Sequence, residues 1–180
     1  MVRTLSEPSV LLLGDTRLES VSAPVLNPAA PSSRAQYRSL HRVLAQFRAR
    51  HGFGRAIAAP QIGIPRRFIA ADLGAGPFTL INPVITFRSA QTFSLWDDCM
   101  SFPDLLVRVR RHTQISVEYQ DETGELTRLD KLERAMSELF QHEIDHLDGV
   151  LAVHRAVDEN AVIKRADYER DPQYYDCLVD

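Results

Sequence analysis

Two histidines lie four residues apart in residues 141–149 (QHEIDHLDG), and a glutamate directly follows the first of them. In a helix this spacing places His142 and His146 on one face, where two neutral imidazoles can bind one divalent cation. Glu143, one position along, is close enough to reach a metal-bound water without ligating the metal. Because the ion acidifies the water, the pentad indicates metal-assisted hydrolysis. The alternative is a pair of surface histidines on an amphipathic helix.

The pentad leaves the third ligand open. Cys99, within residues 96–101 (WDDCMS), is the best candidate, because one thiolate and two imidazoles leave a fourth coordination position for water. Without the histidines we would interpret Cys99 as a small buried hydrophobic residue, and we interpret Cys177 in that way. A downstream carboxylate, Glu159 or Glu169, would instead indicate a zinc protease, but neither belongs to a supporting motif.

A third segment, residues 54–63 (GRAIAAPQIG), combines small residues with a glutamine amide. Small side chains let the backbone approach a ligand, and Gln61 adds a side chain that can donate a hydrogen bond. On its own the segment equally fits a tight transition from loop to strand.

Hydrophobic periodicity predicts the elements that position these segments. A first helix is predicted from a cap at Ser32 or Ser33 to a stop at Gly52. Its apolar face consists of Tyr37, Leu40, Val43, Leu44 and Phe47. Short apolar runs predict strands over residues 67–73, 78–81, 84–87, 92–96, 105–109 and 113–119. Turn residues at 121–124 separate two further strand candidates.

The second main helix is predicted over residues 130–147, where apolar residues recur at helical spacing and Gly149 supplies the stop. A short helix is predicted over residues 159–168, inside a polar tail that covers about 158–180. Two main helices among many short strands indicate one α+β domain over residues 1–180, because the alternating βαβ pattern is missing.

Composition limits the function classes. The chain has 180 residues, enough for one domain with a sizeable core. Its formal net charge of -3 gives no electrostatic signal for nucleic acid or for an anionic membrane. No apolar run is long enough to span a bilayer, and two cysteines make no disulfide framework. We therefore expect a cytoplasmic protein without a membrane or nucleic-acid partner.

Taken together, the three segments resemble the peptide deformylase family, and they occur in the family's order. Residues 54–61 (GRAIAAPQ) are similar to the motif G-φ-G-φ-A-A-x-Q, where φ is apolar, and residues 97–101 (DDCMS) are similar to E-G-C-L-S. Residues 141–146 match Q-H-E-x-D-H at every position. Weaker similarity at residues 80–83 (LINP) and near the start of the chain extends the resemblance to all but the polar tail.

The resemblance implies mixed, mainly antiparallel β-sheets around a central metal-binding helix, with an N-terminal helix. It implies one divalent metal ion bound by Cys99, His142 and His146, with Fe²⁺ as the native ion and Zn²⁺, Ni²⁺ or Co²⁺ as substitutes. Asp145 and Arg111 resemble a pair that orients the ligands in the family. The alternative for this pair is a weak surface ion pair.

The resemblance also implies a reaction, the hydrolysis of an N-formyl group. Glu143 would be the catalytic acid and base, while the Gln61 amide and the backbone N–H of Met100 would hydrogen-bond the formyl oxygen. The expected substrate is the N-terminal formyl-methionine of nascent polypeptides, during protein biosynthesis, although a small N-formyl amine would fit the same chemistry. Transient association with the ribosome is a further expectation.

The departures from the family concern the predicted substrate-binding residues Gly54, Arg55, Ala56 and Glu138. Ala56 replaces a glycine of the motif and narrows the groove along which the substrate backbone would lie. Arg55 and Glu138 occupy positions that are apolar in the family, where opposite charges either compensate each other or swing out to solvent. Two alternatives therefore stay open: a divergent hydrolase of a polar N-formyl substrate, and a non-catalytic metal-holding binding module.

Overall fold

Two antiparallel sheets form the framework of the protein. This computed structural model describes residues 9–180, so the first eight residues of the predicted domain lie outside the described part. The strands are β1 (Ala56–Ala58), β2 (Phe68–Asp72), β3 (Pro77–Arg88), β4 (Thr92–Asp98), β5 (Leu105–His112), β6 (Ile115–Gln120), β7 (Leu126–Leu132) and β8 (Val162–Lys164). The five-stranded sheet has the order β1-β2-β3-β6-β7, and the three-stranded sheet has the order β4-β5-β8. Neighbouring strands pair antiparallel in both sheets.

The helices complete the α+β fold that the sequence predicted. They are α1 (Pro31–His51), α2 (Arg134–Leu147), α3 (Arg165–Arg170) and α4 (Pro172–Asp176). Short 3-10 turns are found at Thr16–Glu19, Ala59–Ile62 and Ala152–Arg155. In the described part of the chain, no helix is both long enough and apolar enough to cross a membrane.

Helix α2 is the central element, because it contacts β1 of the larger sheet and β5 of the smaller one. Leu139, Phe140, Ile144 and Leu147 are buried among side chains of the five-stranded sheet. Burying a side chain of this size contributes roughly 1.5–3 kcal/mol. Every residue in the second half of the helix is buried, including the polar ones. Those polar side chains therefore need partners inside the protein.

Helix α1 carries the predicted apolar face and packs it on the other side of the larger sheet's first strands. Tyr37, Leu40, Val43, Leu44 and Phe47 are all buried, as the periodicity predicted.

The predicted serine cap of α1 is wrong. The helix begins at Pro31, and its N-cap, Ala30, makes no side-chain hydrogen bond. Ser33 Oγ instead donates to the carbonyl oxygen of Asn27, at 2.8 Å. Proline suits the first helical position because its fixed φ is helical and the N–H that it lacks would have no partner there.

Helix α2 begins at Arg134, later than the predicted residue 130. Residues 130–132 continue β7, and Leu132 pairs with Ile115 of β6. Apolar residues at 129, 132 and 136 fit a helical period as well as a strand, so the boundary depends on the pairing between strands.

Strand β3 unites two segments that the sequence separated. Asn82 has φ +50, and the register with β6 shifts between Ile81 and Val84. The Asn82 side chain pairs with the backbone of Val25, because Oδ1 accepts from the N–H at 2.8 Å and Nδ2 donates to the carbonyl at 2.9 Å. Asparagine tolerates the left-handed region, so the strand bends here without ending.

The tail is more structured than predicted. The helix expected over residues 159–168 is found only in part, because residues 162–164 form β8 on the edge of β5 and α3 covers Arg165–Arg170. The end of the chain then folds back onto β4. Trp96 Nε1 donates to the carbonyl oxygen of Tyr175 at 2.9 Å, and the N–H of Ser94 donates to Asp180 Oδ1 at 2.6 Å.

Gly149, which follows the end of α2, packs closely against the backbone of Glu19 in the first 3-10 turn. Its substitution should therefore lower the stability of the fold. Its φ is +73, and a Cβ atom added there would lie 2.5 Å from the backbone carbonyl oxygen of Glu19. Gly149→Ala should lower the free energy of unfolding by about 2–5 kcal/mol, from a left-handed alanine together with a steric clash. Equilibrium unfolding in urea measures this loss.

Gly52→Ala is the matched control. Gly52 also follows a helix, with φ +78, and no described atom lies within 4 Å of the added Cβ. Its cost should be that of the left-handed conformation alone, about 1–2 kcal/mol. Equal losses in the two variants would contradict the role given to the Glu19 contact.

Candidate metal centre

The three predicted metal ligands lie together in the protein interior. Cys99 Sγ is 3.3 Å from His146 Nε2, and that nitrogen is 3.1 Å from His142 Nε2. All three ligand atoms lie within 4.8 Å of one another, and all three residues are buried. A zinc-sized ion, which sits about 2.1 Å from nitrogen and about 2.3 Å from sulfur, can contact all three. The donor set therefore fits one divalent cation.

The alternative ligands lie elsewhere. Among residues 9–180, no other group of His, Cys, Asp and Glu side chains is arranged to hold a metal ion. Glu159 and Glu169 are exposed. Cys177 is exposed as well, so its interpretation as a small buried residue is wrong.

Strand β4 and the turn after it position Cys99. The N–H of Ser101 donates to Cys99 Sγ at 3.4 Å, and the N–H of Phe102 donates to the Cys99 carbonyl oxygen at 3.2 Å. The turn is thus closed by its own backbone. The hydrogen bond from Ser101 also fixes the position of the sulfur atom that would bind a metal ion.

Asp97 orients the first histidine. Its Oδ1 lies 2.9 Å from His142 Nδ1, although the ring N–H does not point squarely at it, and its Oδ2 accepts from Arg111 at 2.9 Å. Burial raises the pKa of Asp97, but the charges and hydrogen bonds of His142 and Arg111 outweigh it and lower the pKa to about 2. An ionised Asp97 favours the proton on Nδ1, which leaves Nε2 of His142 free to bind an ion.

Behind the ligands, two arginines neutralise two buried carboxylates. Arg111 donates to Asp97 and also to Asp145 Oδ2, the latter at 2.5 Å. Arg155 contacts both oxygens of Asp145 at 2.6 Å. The predicted pair of Arg111 and Asp145 is therefore an interior one, since the Arg111 side chain is only 3% exposed. Sequence reasoning missed Arg155, which no motif marks.

Glu143 lies beside the ligands with one carboxylate oxygen unpaired. Its Oε2 is buried and has no hydrogen-bond partner among the described residues. Burial raises the pKa of Glu143 to about 7, against the opposing effect of His142. Leaving a buried acceptor unpaired costs about 1–3 kcal/mol, so a water or substrate proton is a favourable partner for this oxygen. A carboxyl group with this pKa can both accept and release a proton near neutral pH.

Two hydrogen-bond donors, the Gln61 amide and the backbone N–H of Met100, lie beside Cys99. Gln61 Oε1 accepts from the N–H of Ala58 at 2.9 Å, which turns Nε2 toward Ser101 Oγ at 3.1 Å and Cys99 Sγ at 3.7 Å. The backbone N–H of Met100 belongs to the turn after Cys99 and makes no hydrogen bond with the described residues. Donors placed in this way can stabilise an oxygen that gains negative charge.

A cavity of about 300 Å³ opens next to these groups. Cys99, His142, Glu143 and Gln61 belong to its wall. The wall also includes the four residues that the sequence predicted to bind substrate, which are Gly54, Arg55, Ala56 and Glu138.

The tail supports this cavity through Arg165, a residue that sequence reasoning missed. Its guanidinium lies over the Phe53 ring, 4.2 Å from the centroid, and donates to Asp98 Oδ2 at 3.2 Å. Its Nε donates to the carbonyl oxygen of Pro103 at 2.7 Å. Phe53 and Asp98 both line the cavity, so α3 helps to fix the wall.

Comparison with known proteins identifies similar sequences over most of the chain. The family model for polypeptide deformylase matches residues 8–162. A peptide deformylase of Thermotoga neapolitana is 36% identical over 146 residues, which cover 81% of this chain and 85% of that protein. A peptide deformylase of Synechococcus sp. (strain RCC307) is 33% identical over 175 residues, which cover 91% of this chain and 82% of that protein.

Solved structures of the same family are similar to this chain as well. The crystal structure of peptide deformylase from Thermotoga maritima is similar with a TM-score of 0.75 at 33% identity, over 83% of this chain and 97% of that one. A peptide deformylase from Synechococcus elongatus, crystallised in complex with actinonin, gives a TM-score of 0.77 at 30% identity, over 86% and 82% of the two chains.

The ligand cluster yields a direct prediction on metal content. Cys99→Ala should lower the bound divalent metal sharply, because two imidazoles alone hold an ion weakly, whereas Cys177→Ala, at the exposed cysteine, should leave it unchanged. Elemental analysis of both purified variants measures the metal per chain. A fully loaded Cys99→Ala protein would show that the third ligand lies elsewhere.

Proposed function

The chain belongs to the polypeptide deformylase family, and on this basis we propose a role for each residue of its site. The protein is a metallohydrolase that removes the N-formyl group from the N-terminus of nascent polypeptides, as the sequence predicted. Its relatives do not favour a hydrolase of another formylated substrate or a metal-holding module. The observation that carries the assignment of roles is the unpaired carboxylate oxygen of Glu143 beside the three clustered ligand atoms.

Cys99, His142 and His146 would hold the divalent ion. When bound, such an ion supplies Lewis acidity, which makes water acidic enough to act as a nucleophile near neutral pH. We propose Fe²⁺ as the native ion, with Zn²⁺, Ni²⁺ or Co²⁺ as substitutes. A thiolate with two imidazoles suits all of these ions, so the donor set supports a transition metal without separating them.

Glu143 is proposed to move the proton. Its free oxygen accepts the proton of the attacking water and then passes it to the nitrogen that leaves as the peptide's new amino group. Its burial and its pKa of about 7 support both halves of this transfer.

Gln61 and the backbone of Met100 are proposed to stabilise the formyl oxygen. The amide Nε2 is fixed from behind by the bond between Oε1 and Ala58, so its direction needs no reorganisation during the reaction. The Met100 N–H belongs to the residue that directly follows Cys99, and Gln61 Nε2 lies 3.7 Å from the sulfur of the same cysteine. Both groups donate to the oxygen as it changes from a carbonyl to an alkoxide.

The substrate also suggests a cellular setting. Because nascent polypeptides emerge from ribosomes, we propose that the protein acts in the cytoplasm and associates transiently with the ribosome. Co-sedimentation of the purified protein with ribosomes, at two salt concentrations, tests the second part.

Glu143→Gln should keep the metal and lose most of the activity. The amide has nearly the same shape as the carboxylate but cannot accept the proton, so kcat should fall by roughly 10²–10⁴-fold. Formate release from a formyl-methionyl peptide measures kcat, and Glu169→Gln, at an exposed glutamate, is the control. Normal turnover of Glu143→Gln at equal metal loading would reject the role given to Glu143.

Gln61→Ala should lower kcat by about 10²–10³-fold, because one preorganised donor to the developing alkoxide is removed. The KM for the formyl-methionyl peptide should change much less than kcat. If KM rises while kcat stays normal, Gln61 binds the substrate and does not stabilise the transition state.

A further inference from the structure

One wall of the catalytic cavity carries an ion pair between Arg55 and Glu138. Arg55 contacts Glu138 Oε1 through Nη2 and donates from Nη1 to the carbonyl oxygen of Ala135 at 2.9 Å. The Glu138 side chain is only 12% exposed, while that of Arg55 is 43% exposed. Burial raises the pKa of Glu138, and the charge of Arg55 opposes that effect. The pair thus joins the segment before β1 to the first turns of α2.

The position of the pair decides what it can contact. Glu138 lies one helical turn before His142, so both project from the same face of α2 into the cavity. Arg55 and Glu138 share that cavity with Gln61 and Glu143. When the formyl group lies between these last two, the side chain next to it must occupy space bounded by the ion pair.

The pair also keeps hydrogen-bonding capacity. A guanidinium has five N–H donors, and the bonds to Glu138 and Ala135 use two of those of Arg55. An apolar side chain that covers the pair removes water from the remaining donors and offers them no hydrogen-bond acceptor in its place. A neutral side chain with an acceptor oxygen can replace that water. A carboxylate would be repelled by Glu138 and by Asp98, which lines the same cavity.

We propose that the ion pair of Arg55 and Glu138 selects the first side chain of the formylated peptide and makes the enzyme accept neutral side chains that carry a hydrogen-bond acceptor. This inference rests on the proposed function of the same site. The class includes methionine sulfoxide, which has the length of methionine and adds one acceptor oxygen. Formyl peptides that begin with oxidised methionine are therefore substrates in addition to those that begin with methionine.

The test compares three peptides that differ only in the first side chain: formyl-methionine, formyl-methionine sulfoxide and formyl-norleucine. Norleucine is apolar and of similar length, so it isolates the acceptor oxygen. For the metal-loaded wild-type enzyme, kcat/KM for the sulfoxide should equal or exceed that for norleucine. In the double variant Arg55→Leu with Glu138→Leu, the ratio of sulfoxide to norleucine should fall by about tenfold or more, as a hydrogen bond to a charged donor is lost.

The control is a second ion pair of similar design. Arg67 contacts Asp148 Oδ1 at 2.6 Å and the carbonyl oxygen of Leu147 at 3.3 Å, so it also pairs with an acid and with a carbonyl of α2. Neither Arg67 nor Asp148 lines the catalytic cavity. Arg67→Leu with Asp148→Leu should leave the ratio of sulfoxide to norleucine at its wild-type value.

A milder variant keeps the inference testable if the double variant does not fold. Glu138→Gln preserves the shape of the side chain and leaves the charge of Arg55 without its counterion. It should raise kcat/KM for a formyl-glutamate peptide relative to formyl-norleucine by about tenfold.

The outcomes distinguish a failure of the inference from a failure of the proposed function. Absence of formate release from all peptides by the metal-loaded enzyme would overturn the proposed function itself. Cleavage of formyl-methionine and formyl-norleucine with rejection of the sulfoxide would overturn the inference alone. An unchanged ratio in the double variant, or unchanged preference in Glu138→Gln, would do the same.

Discussion

The metal centre depends on the two ion pairs that the guanidinium of Arg111 makes. This guanidinium lies in the interior between the carboxylates of Asp97 and Asp145, and so ties strand β5 to strand β4 and to helix α2. Each carboxylate stands next to a metal-ligand position along the chain or in space. Removing the arginine would leave Asp97 without its cation and Asp145 with Arg155 alone, and breaking one buried pair costs about 3–5 kcal/mol. The ligand geometry and the stability of the central helix therefore share one source.

This charge arrangement also explains how the second half of α2 can be fully buried. A polar helix enclosed in a protein needs a partner for each of its polar groups. Asp145 finds Arg111 and Arg155, and Gln141 bonds to the backbone of His112 through both ends of its amide. Three buried polar atoms of the helix have no aligned hydrogen bond among the described residues: Glu143 Oε2 and the Nδ1 atoms of His142 and His146. These atoms belong to the two histidine ligands and to Glu143, so the unpaired polar groups of the helix are concentrated at the metal centre.

The sequence predicts those parts of the site that are local or chemically distinctive. His142, Glu143 and His146 share one helical turn, so their spacing alone indicates metal chemistry, and Cys99 is the best candidate for the third ligand because thiolates bind metal ions. Arg155 contacts Asp145 from ten residues away, across a 3-10 turn that has no periodic signal. Such a contact depends on tertiary packing, which one sequence does not encode in any short pattern.

The same distinction applies to the fold. The face of α1 follows a period that only a helix explains, and it was predicted correctly. The start of α2 and the path of the tail were not, because Leu132 and residues 162–164 are placed by pairing with the distant strands β6 and β5. At Leu132 and at residues 162–164 the local hydrophobic pattern is compatible with a helix or a strand, and pairing with a neighbouring strand stabilises the strand.

The pairing of the tail with β4 has an optical consequence. The chain contains a single tryptophan, Trp96, whose indole N–H bonds to Tyr175 of α4 and whose ring meets the Tyr175 ring edge-on. In strand β4 the side chains alternate, so Trp96 faces away from Asp97 and the metal ligands. All of the protein's indole fluorescence therefore originates at the contact between tail and sheet. Its emission wavelength gives a probe of tail docking that requires no label and is read separately from the absorbance of a metal–thiolate centre on the opposite face of the strand.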